Sequence, residues 1–168
     1  MKNQNYKSGF TIIESLIAIS ILLTAIAGAG SAVQTGISSY IFSKDQIIAF
    51  YLAQEGFEQI RNIRDENGLR GRPWLTGLAL GETYYIDTIY NNITPCSGPC
   101  PLVRQDVNGF YQHNTGTDTI FRRAVTLTEV ARDTQNNIIE IAVIVTVDWS
   151  KGETERKFEA RENIFKWQ

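Results

Sequence analysis

Hydrophobic positions along the chain fall into three regimes. From Ser15 to Val33 the residues are uncharged and mostly apolar. That run approaches the ~20 residues a helix needs to span a bilayer core. Beyond it, apolar residues recur at Ile37, Ile41, Ile48, Leu52, Ile60 and Ile63, close to helical spacing. Lys44, Asp45, Gln54, Glu55, Glu58 and Arg61 fill the other faces. Asn67-Gly68, Gly71 and Pro73 then read as a stop. The pattern predicts one helix from about Phe10 to Asp65, about 80 Å long at ~1.5 Å per residue. Its first half is apolar all round, and its second half packs one face on a soluble domain.

The third regime has period two. Gly68 to Thr83 is a glycine-rich loop. "TYYIDTIY" (Thr83 to Tyr90) is β-branched and aromatic and predicts a strand. "FRRAVTLTEVAR" (Phe121 to Arg132) predicts another, and "NIIEIAVIVTVDWS" (Asn137 to Ser150) a third. In the third, Ile139, Ile141, Val143, Val145, Val147 and Trp149 share one face. The chain turns at Lys151-Gly152 into a last strand with Phe158, Ala160 and Ile164 in phase. These three form an antiparallel meander of strands of roughly ten residues, long for a globular domain. Their inward faces cover the helix. "EVARDTQNNIIE" holds a charged hairpin connection, and "KGETERKFEARE" a solvated strand face that also blunts an exposed sheet edge.

Charge changes the picture mainly by its distribution. The formal net charge of −2 over 168 residues, with no dense Lys/Arg cluster, does not point to nucleic acid. Between Ser8 and Ser43 the only charged residue is Glu14. Lys2 and Lys7 precede the apolar run, and no basic residue follows until Lys44. The positive-inside rule therefore keeps the N-terminus cytoplasmic and exports the rest. A cleaved secretory signal is the competing reading, since "AIAGAGSA" (Ala25 to Ala32) imitates a signal-peptidase site. The length of the run argues against it. The glycines in "AIAGAG" either allow close helix packing in lipid or weaken the helix there, at about 1 kcal/mol each. A charge at the bilayer centre costs roughly 2.5–3.5 kcal/mol on insertion scales. Glu14 lies near the cytoplasmic end, where the cost is smaller and the helix dipole favours an acid.

Candidate chemistry is sparse. Cys96-Ser-Gly-Pro-Cys100 lies in a loop between strands. Outside the cytoplasm a small-loop disulfide is the expected reading, one that shapes the loop more than it holds the fold. Two Cys and one His do not make a metal site, and no metal or cofactor is expected. His113, in "YQHNTGTDT", reads as a solvated loop residue. Asp106, Asp118 and Asp133 lack calcium-ligand spacing. Asn92-Ile93-Thr94 fits a glycosylation triplet that arises commonly by chance. No constellation of nucleophile and base supports an enzyme.

"KSGFTIIESLIAISILL" resembles the N-terminus of type IV pilins and the related pseudopilins. These share a short basic leader ending in Gly, then Phe, then Glu four residues on. Gly9, Phe10 and Glu14 match, over roughly the first 35 residues. The resemblance implies cleavage between Gly9 and Phe10 by a prepilin peptidase, which also methylates the new amino group of Phe10. Loss of Lys2 and Lys7 would take the side-chain charge from −2 to −4. It implies that Glu14 pairs with the N-terminus of a neighbouring subunit, and that "AIAGAG" extends in a filament. "AFYLAQEGFEQIRNIRDEN" (Ala49 to Asn67) resembles, more loosely, the same helix of minor subunits.

The resulting expectation is an α+β, pilin-like fold, a long N-terminal helix on an antiparallel sheet, with the lollipop outline of pilins. Residues 1–9 are the leader, 10–35 the transmembrane and filament-core segment, and 36–168 the head, with its amphipathic helix over about 36–65. The expected function is a non-enzymatic subunit of a type IV pilus-like filament, held in the cytoplasmic membrane with its head outside before assembly. Its partners are the peptidase/methyltransferase, the bilayer and other pilin or pseudopilin subunits. The alternatives are a type II secretion or DNA-uptake pseudopilin and, more remotely, a membrane-tethered extracytoplasmic binding domain.

Overall fold

A computed structural model describes residues 9–166 of the chain. The predicted leader and its two lysines lie outside the described residues, Gly9 apart. One helix, α1 (Ile12–Leu69), precedes seven strands: β1 (Thr83–Asp87), β2 (Asn92–Pro95), β3 (Leu102–Gln105), β4 (Tyr111–Gln112), β5 (Thr117–Arg132), β6 (Ile138–Lys151) and β7 (Thr154–Phe165). The chain divides into two units, one ending at Lys44 and the other beginning at Asp45.

In the first unit every residue from Ile12 to Tyr40 is exposed. α1 is the one helix among the described residues long and apolar enough to cross a membrane. Its hydroxyl residues do not disturb it. Ser20 donates to the Leu16 carbonyl at 2.8 Å, Thr35 to Ser31 at 3.0 Å and Ser43 to Ser39 at 2.9 Å. These three hydroxyl protons are thus satisfied inside the helix, the condition for polar groups in a lipid-facing segment.

The second unit, which begins at Asp45 rather than at residue 36, has the expected α+β architecture. The helix residues beyond Asp45 bury Ala49, Leu52, Ala53, Gly56 and Ile60, spaced three or four apart, so one stripe faces the sheet. Opposite lie Val125 and Leu127 of β5, Ile141, Val143, Val145 and Val147 of β6, and Ile164 of β7. Small residues on the helix allow close approach. A Cβ built at Gly56 would stand 3.1 Å from both methyl carbons of Val145 and 3.4 Å from Val125.

β5, β6 and β7 form the expected antiparallel meander, paired from Phe121↔Trp149 to Arg132↔Ile138, with register shifts between Glu129 and Arg132, and from Glu140↔Phe165 to Lys151↔Thr154. The strands run 16, 14 and 12 residues, longer than their patterns suggested. β7 pairs only with β6, so its charged run does lie on an edge strand. Arg61 of α1 ties that edge down through a forked ion pair with Glu162.

Several boundaries differ from expectation. α1 continues to Leu69 because Asn67 is buried and works inside the last turn. Its amide donates to the Thr76 carbonyl at 2.9 Å, and its own carbonyl accepts from Arg72 N–H at 2.8 Å. β1 stops at Asp87, whose carboxylate accepts from the Ile89 and Tyr90 N–H groups at 3.2 Å and turns the chain. β5 starts at Thr117, and the short strands β2, β3 and β4 are too brief to show alternation in the sequence.

The far edge of β5 is shared. β3 pairs with Thr117 to Arg122 and β1 with Val125 and Thr126, leaving Arg123 at the break. Its side chain points inward with Phe121, Val125 and Leu127 and is fully buried. One guanidinium nitrogen donates to the Leu52 carbonyl at 3.0 Å and to Glu55 at 2.9 Å. The other donates to the Ile86 carbonyl at 2.6 Å. Burial pushes the guanidinium pKa down, and Glu55 and Asp87 hold it up.

Two substitutions test this packing. Gly56→Val places branched carbon against Val145 and should lower head stability by about 2 kcal/mol. Val145→Ala should recover part of that loss in the double variant. Arg123→Met leaves the Leu52 and Ile86 carbonyls without this donor and should cost about 3 kcal/mol. Arg123→Lys should not rescue it, because one ammonium cannot span both carbonyls. Denaturant unfolding of the chain in non-ionic micelles, followed by tryptophan fluorescence, measures each loss.

Candidate functional site

The helix start is built locally. Thr11 caps α1: its hydroxyl accepts from Glu14 N–H at 3.2 Å, and its carbonyl accepts from Ser15 N–H at 3.1 Å. Thr-Ile-Ile-Glu is thus a capping-box sequence with Glu14 at the third helical position. Gly9 and Phe10 lie outside the helix and are exposed, Phe10 by 79%. The peptide between them is therefore outside the helical ladder.

Glu14 sits in the exposed first turn, near the partly positive helix end. Among the described residues its carboxylate has no hydrogen-bond or ion-pair partner. The contrast with the hydroxyls is informative. Ser20, Thr35 and Ser43 close their own bonds to the backbone, whereas a carboxylate offers only acceptors and needs a donor from elsewhere. Around it Ile12, Ile13, Leu16 and Ile17 are each more than half exposed. Among the described residues this end of the helix thus presents an apolar surface with one unpaired charge, and neither finds its partner there.

Cys96 and Cys100 form a disulfide, with their Cα atoms 5.2 Å apart. It closes the segment between β2 and β3 in the second unit, so it does not join Gly9, Phe10 and Glu14. Cys100 is buried, and Cys96 N–H donates to the Thr83 carbonyl at 2.8 Å, which seats the loop on β1.

His113 departs from the sequence reading. Its backbone N–H donates to the Asp87 carboxylate at 2.9 Å, which draws the residue inward just after β4. Its ring lies 4.9 Å from that of Tyr85, and both ring nitrogens are buried with no hydrogen-bond partner. Burial, then the Arg123 charge, lowers its pKa below the ordinary 6.5. The other acids considered have structural partners. Asp106 accepts from the Asn108 and Phe110 N–H groups at 2.8 and 2.9 Å, and Asp133 from Gln135 and Asn137 N–H at 2.8 Å. Asp118 pairs with Arg104 at 2.7 Å. Among the described residues no group of three or more His, Cys, Asp or Glu is placed to hold a metal ion.

A cleft of about 610 Å³ is lined by Arg64, Arg72, Arg132 and Lys166 beside Trp74. Its guanidiniums are already engaged: Arg64 by Asp65, Arg72 by Glu66 and Arg132 by Glu129. A second, of about 460 Å³, runs along α1 past Tyr51, Gln54, Glu58 and Asn62. Neither brings a nucleophile and a base together.

Arg123, Asp87 and Gly56 are the residues the sequence reading passed over. A signal for Arg123 was present. Phe121, Val125 and Leu127 alternate onto one face of the predicted strand, and Arg123 is in phase with them. Gly56 likewise lies in the stripe of Leu52 and Ile60. Asp87, within a predicted strand, carried no comparable mark.

Residues 4–30 match the family described as the prokaryotic N-terminal methylation motif. Neither the curated proteins nor the solved structures give a match. The match covers the helix start, Glu14 and most of the apolar run. On an α+β fold with a long apolar helix, the chain carries the type IV pilin signature, which implies a membrane-anchored subunit of the pilin and pseudopilin type.

Proposed function

We propose that the chain is a structural subunit of a type IV pilus-like filament. Residues 1–9 are a leader removed by a prepilin peptidase, which cuts between Gly9 and Phe10 and methylates Phe10. Residues 10–35 hold the protein in the cytoplasmic membrane, with the N-terminus cytoplasmic, and later form the filament core. Residues 36–168 are the exported head. The observation that carries this reading is the helix from Ile12 to Tyr40, exposed throughout and bearing one charge, Glu14, one turn beyond Gly9-Phe10.

The physical logic is a matter of partners. In lipid the apolar surface is satisfied, and Glu14 waits near the interface where water reaches it. Cleavage creates a cationic amino group on Phe10, and methylation leaves it charged. When helices bundle, the Glu14 carboxylate pairs with the amino group of a neighbouring subunit. An unpaired charge in that poorly solvated setting is costly and a paired one tolerable. The pair fixes axial register, while the helix surfaces supply affinity. The same steps would serve a secretion or DNA-uptake pseudopilin.

Co-expression with a prepilin peptidase tests the first step. The wild-type chain should lose residues 1–9 by mass, and Gly9→Ala should abolish that loss. Cleavage of Gly9→Ala to the same mature mass would sink the reading. Glu14→Ala should insert and be cut normally, yet reach sheared filaments at least about tenfold less well, the effect of ~1.4 kcal/mol at the assembly contact. Normal incorporation would reduce Glu14 to an interfacial acid.

A further inference from the structure

His113 is the chain's one histidine, and it is held where a proton is hard to accommodate. Each element around it contributes. β5 brings the fully buried Arg123, whose Nε is itself without a partner. β1 brings Tyr85 against the ring and Asp87 at its end. β3 brings the Leu102 backbone and Arg104, and α1 brings Glu55 through its bond to Arg123. An imidazolium here would be a second cation beside a guanidinium already out of water. The one buried carboxylate nearby, Asp87, cannot swing to meet it without loss. Its oxygens accept from the Ile89, Tyr90 and His113 N–H groups, the bonds that shape this corner.

We propose that His113 is an acid-sensitive latch on the head. Neutral, it closes the β1–β2 and β3–β4 hairpins over Arg123. Protonated, it breaks the Asp87 corner and lets both hairpins lift from α1. The Cys96–Cys100 bond links the end of β2 to the start of β3, so the two hairpins move as one. The hairpins part from β5 at the short ladders that β1 and β3 make with it, while the β5–β7 meander keeps its own apolar contact with α1, so the opening is local.

The sign follows from the surroundings of the ring. Burial first and Arg123 second depress the folded pKa, against weaker support from Asp87. The latch is therefore fully closed above the unfolded value of about 6.5. It weakens as pH falls from there through the folded pKa.

The full chain in non-ionic micelles supplies the test. Its single histidine gives an unambiguous NMR titration, expected to have a midpoint below about 6.5. Amide exchange, corrected for intrinsic rates, is then compared at about pH 7.5 and about pH 5. The amides of Ile89, Tyr90 and His113 should lose at least about tenfold protection, the fold-change of ~1.4 kcal/mol. Those of β6 should change little. His113→Phe keeps a ring against Tyr85 but cannot titrate, and should flatten the response. A midpoint at or above 6.5, unchanged protection at the lower pH, or equal loss in His113→Phe would overturn the latch. Where His113→Phe does not fold, the wild-type titration and exchange decide alone.

Discussion

A guanidinium buried at a break in the sheet organises the head. Arg123 stands where β3 ends and β1 begins along the same edge of β5. Its donors reach the Leu52 carbonyl and Glu55 on α1 and the Ile86 carbonyl on β1. A long meander and a set of short strands are thereby tied to one helix through one side chain. An apolar residue there would pack but could not satisfy two backbone carbonyls at once. The desolvation of a buried cation is large, so its tolerance depends on those bonds and on Glu55 and Asp87 nearby. Asp87 extends the network by bonding three backbone N–H groups, including that of His113.

Close packing completes the arrangement. Gly56 gives the helix room at Val145, and Ala49 and Ala53 continue the same narrow stripe. The helix therefore reaches the sheet closely enough for a backbone carbonyl at Leu52 to meet a side chain from β5. Apolar burial supplies the driving force and the polar bonds select the arrangement, a division common where a buried ion persists in a core.

The first unit obeys the opposite rule. The head closes most of its polar groups within itself, whereas the helix through Tyr40 leaves its apolar surface open. Ser20, Thr24 and Thr35 bond their hydroxyls to their own backbone, which suits a lipid-facing segment. Glu14 cannot do the same, and it lies inside the stretch that matches the methylation motif. On the function proposed above, a subunit that first sits in a membrane and then joins a bundle would need this combination: a surface accepted by either apolar environment and one group that recognises a partner.

The long elements were legible in the sequence because each repeats a period over many residues. An uninterrupted apolar run, a three-to-four spacing and a strict alternation specify α1, β5, β6 and β7 with little ambiguity. The methylation motif at residues 4–30 was legible too, because it depends only on residues close together in the chain. The disulfide followed from two nearby cysteines. What the sequence left undecided were the contacts between distant segments. Arg123 had no role in its predicted strand until tertiary structure placed Leu52, Glu55 and Ile86 around it. His113 looked solvated because its neighbours are polar, and only the Asp87 corner pulls it inside. Local periodicity decides which elements form and which faces are apolar. Only the folded structure decides which polar group goes under which face, because that depends on partners 26 to 71 residues away along the chain.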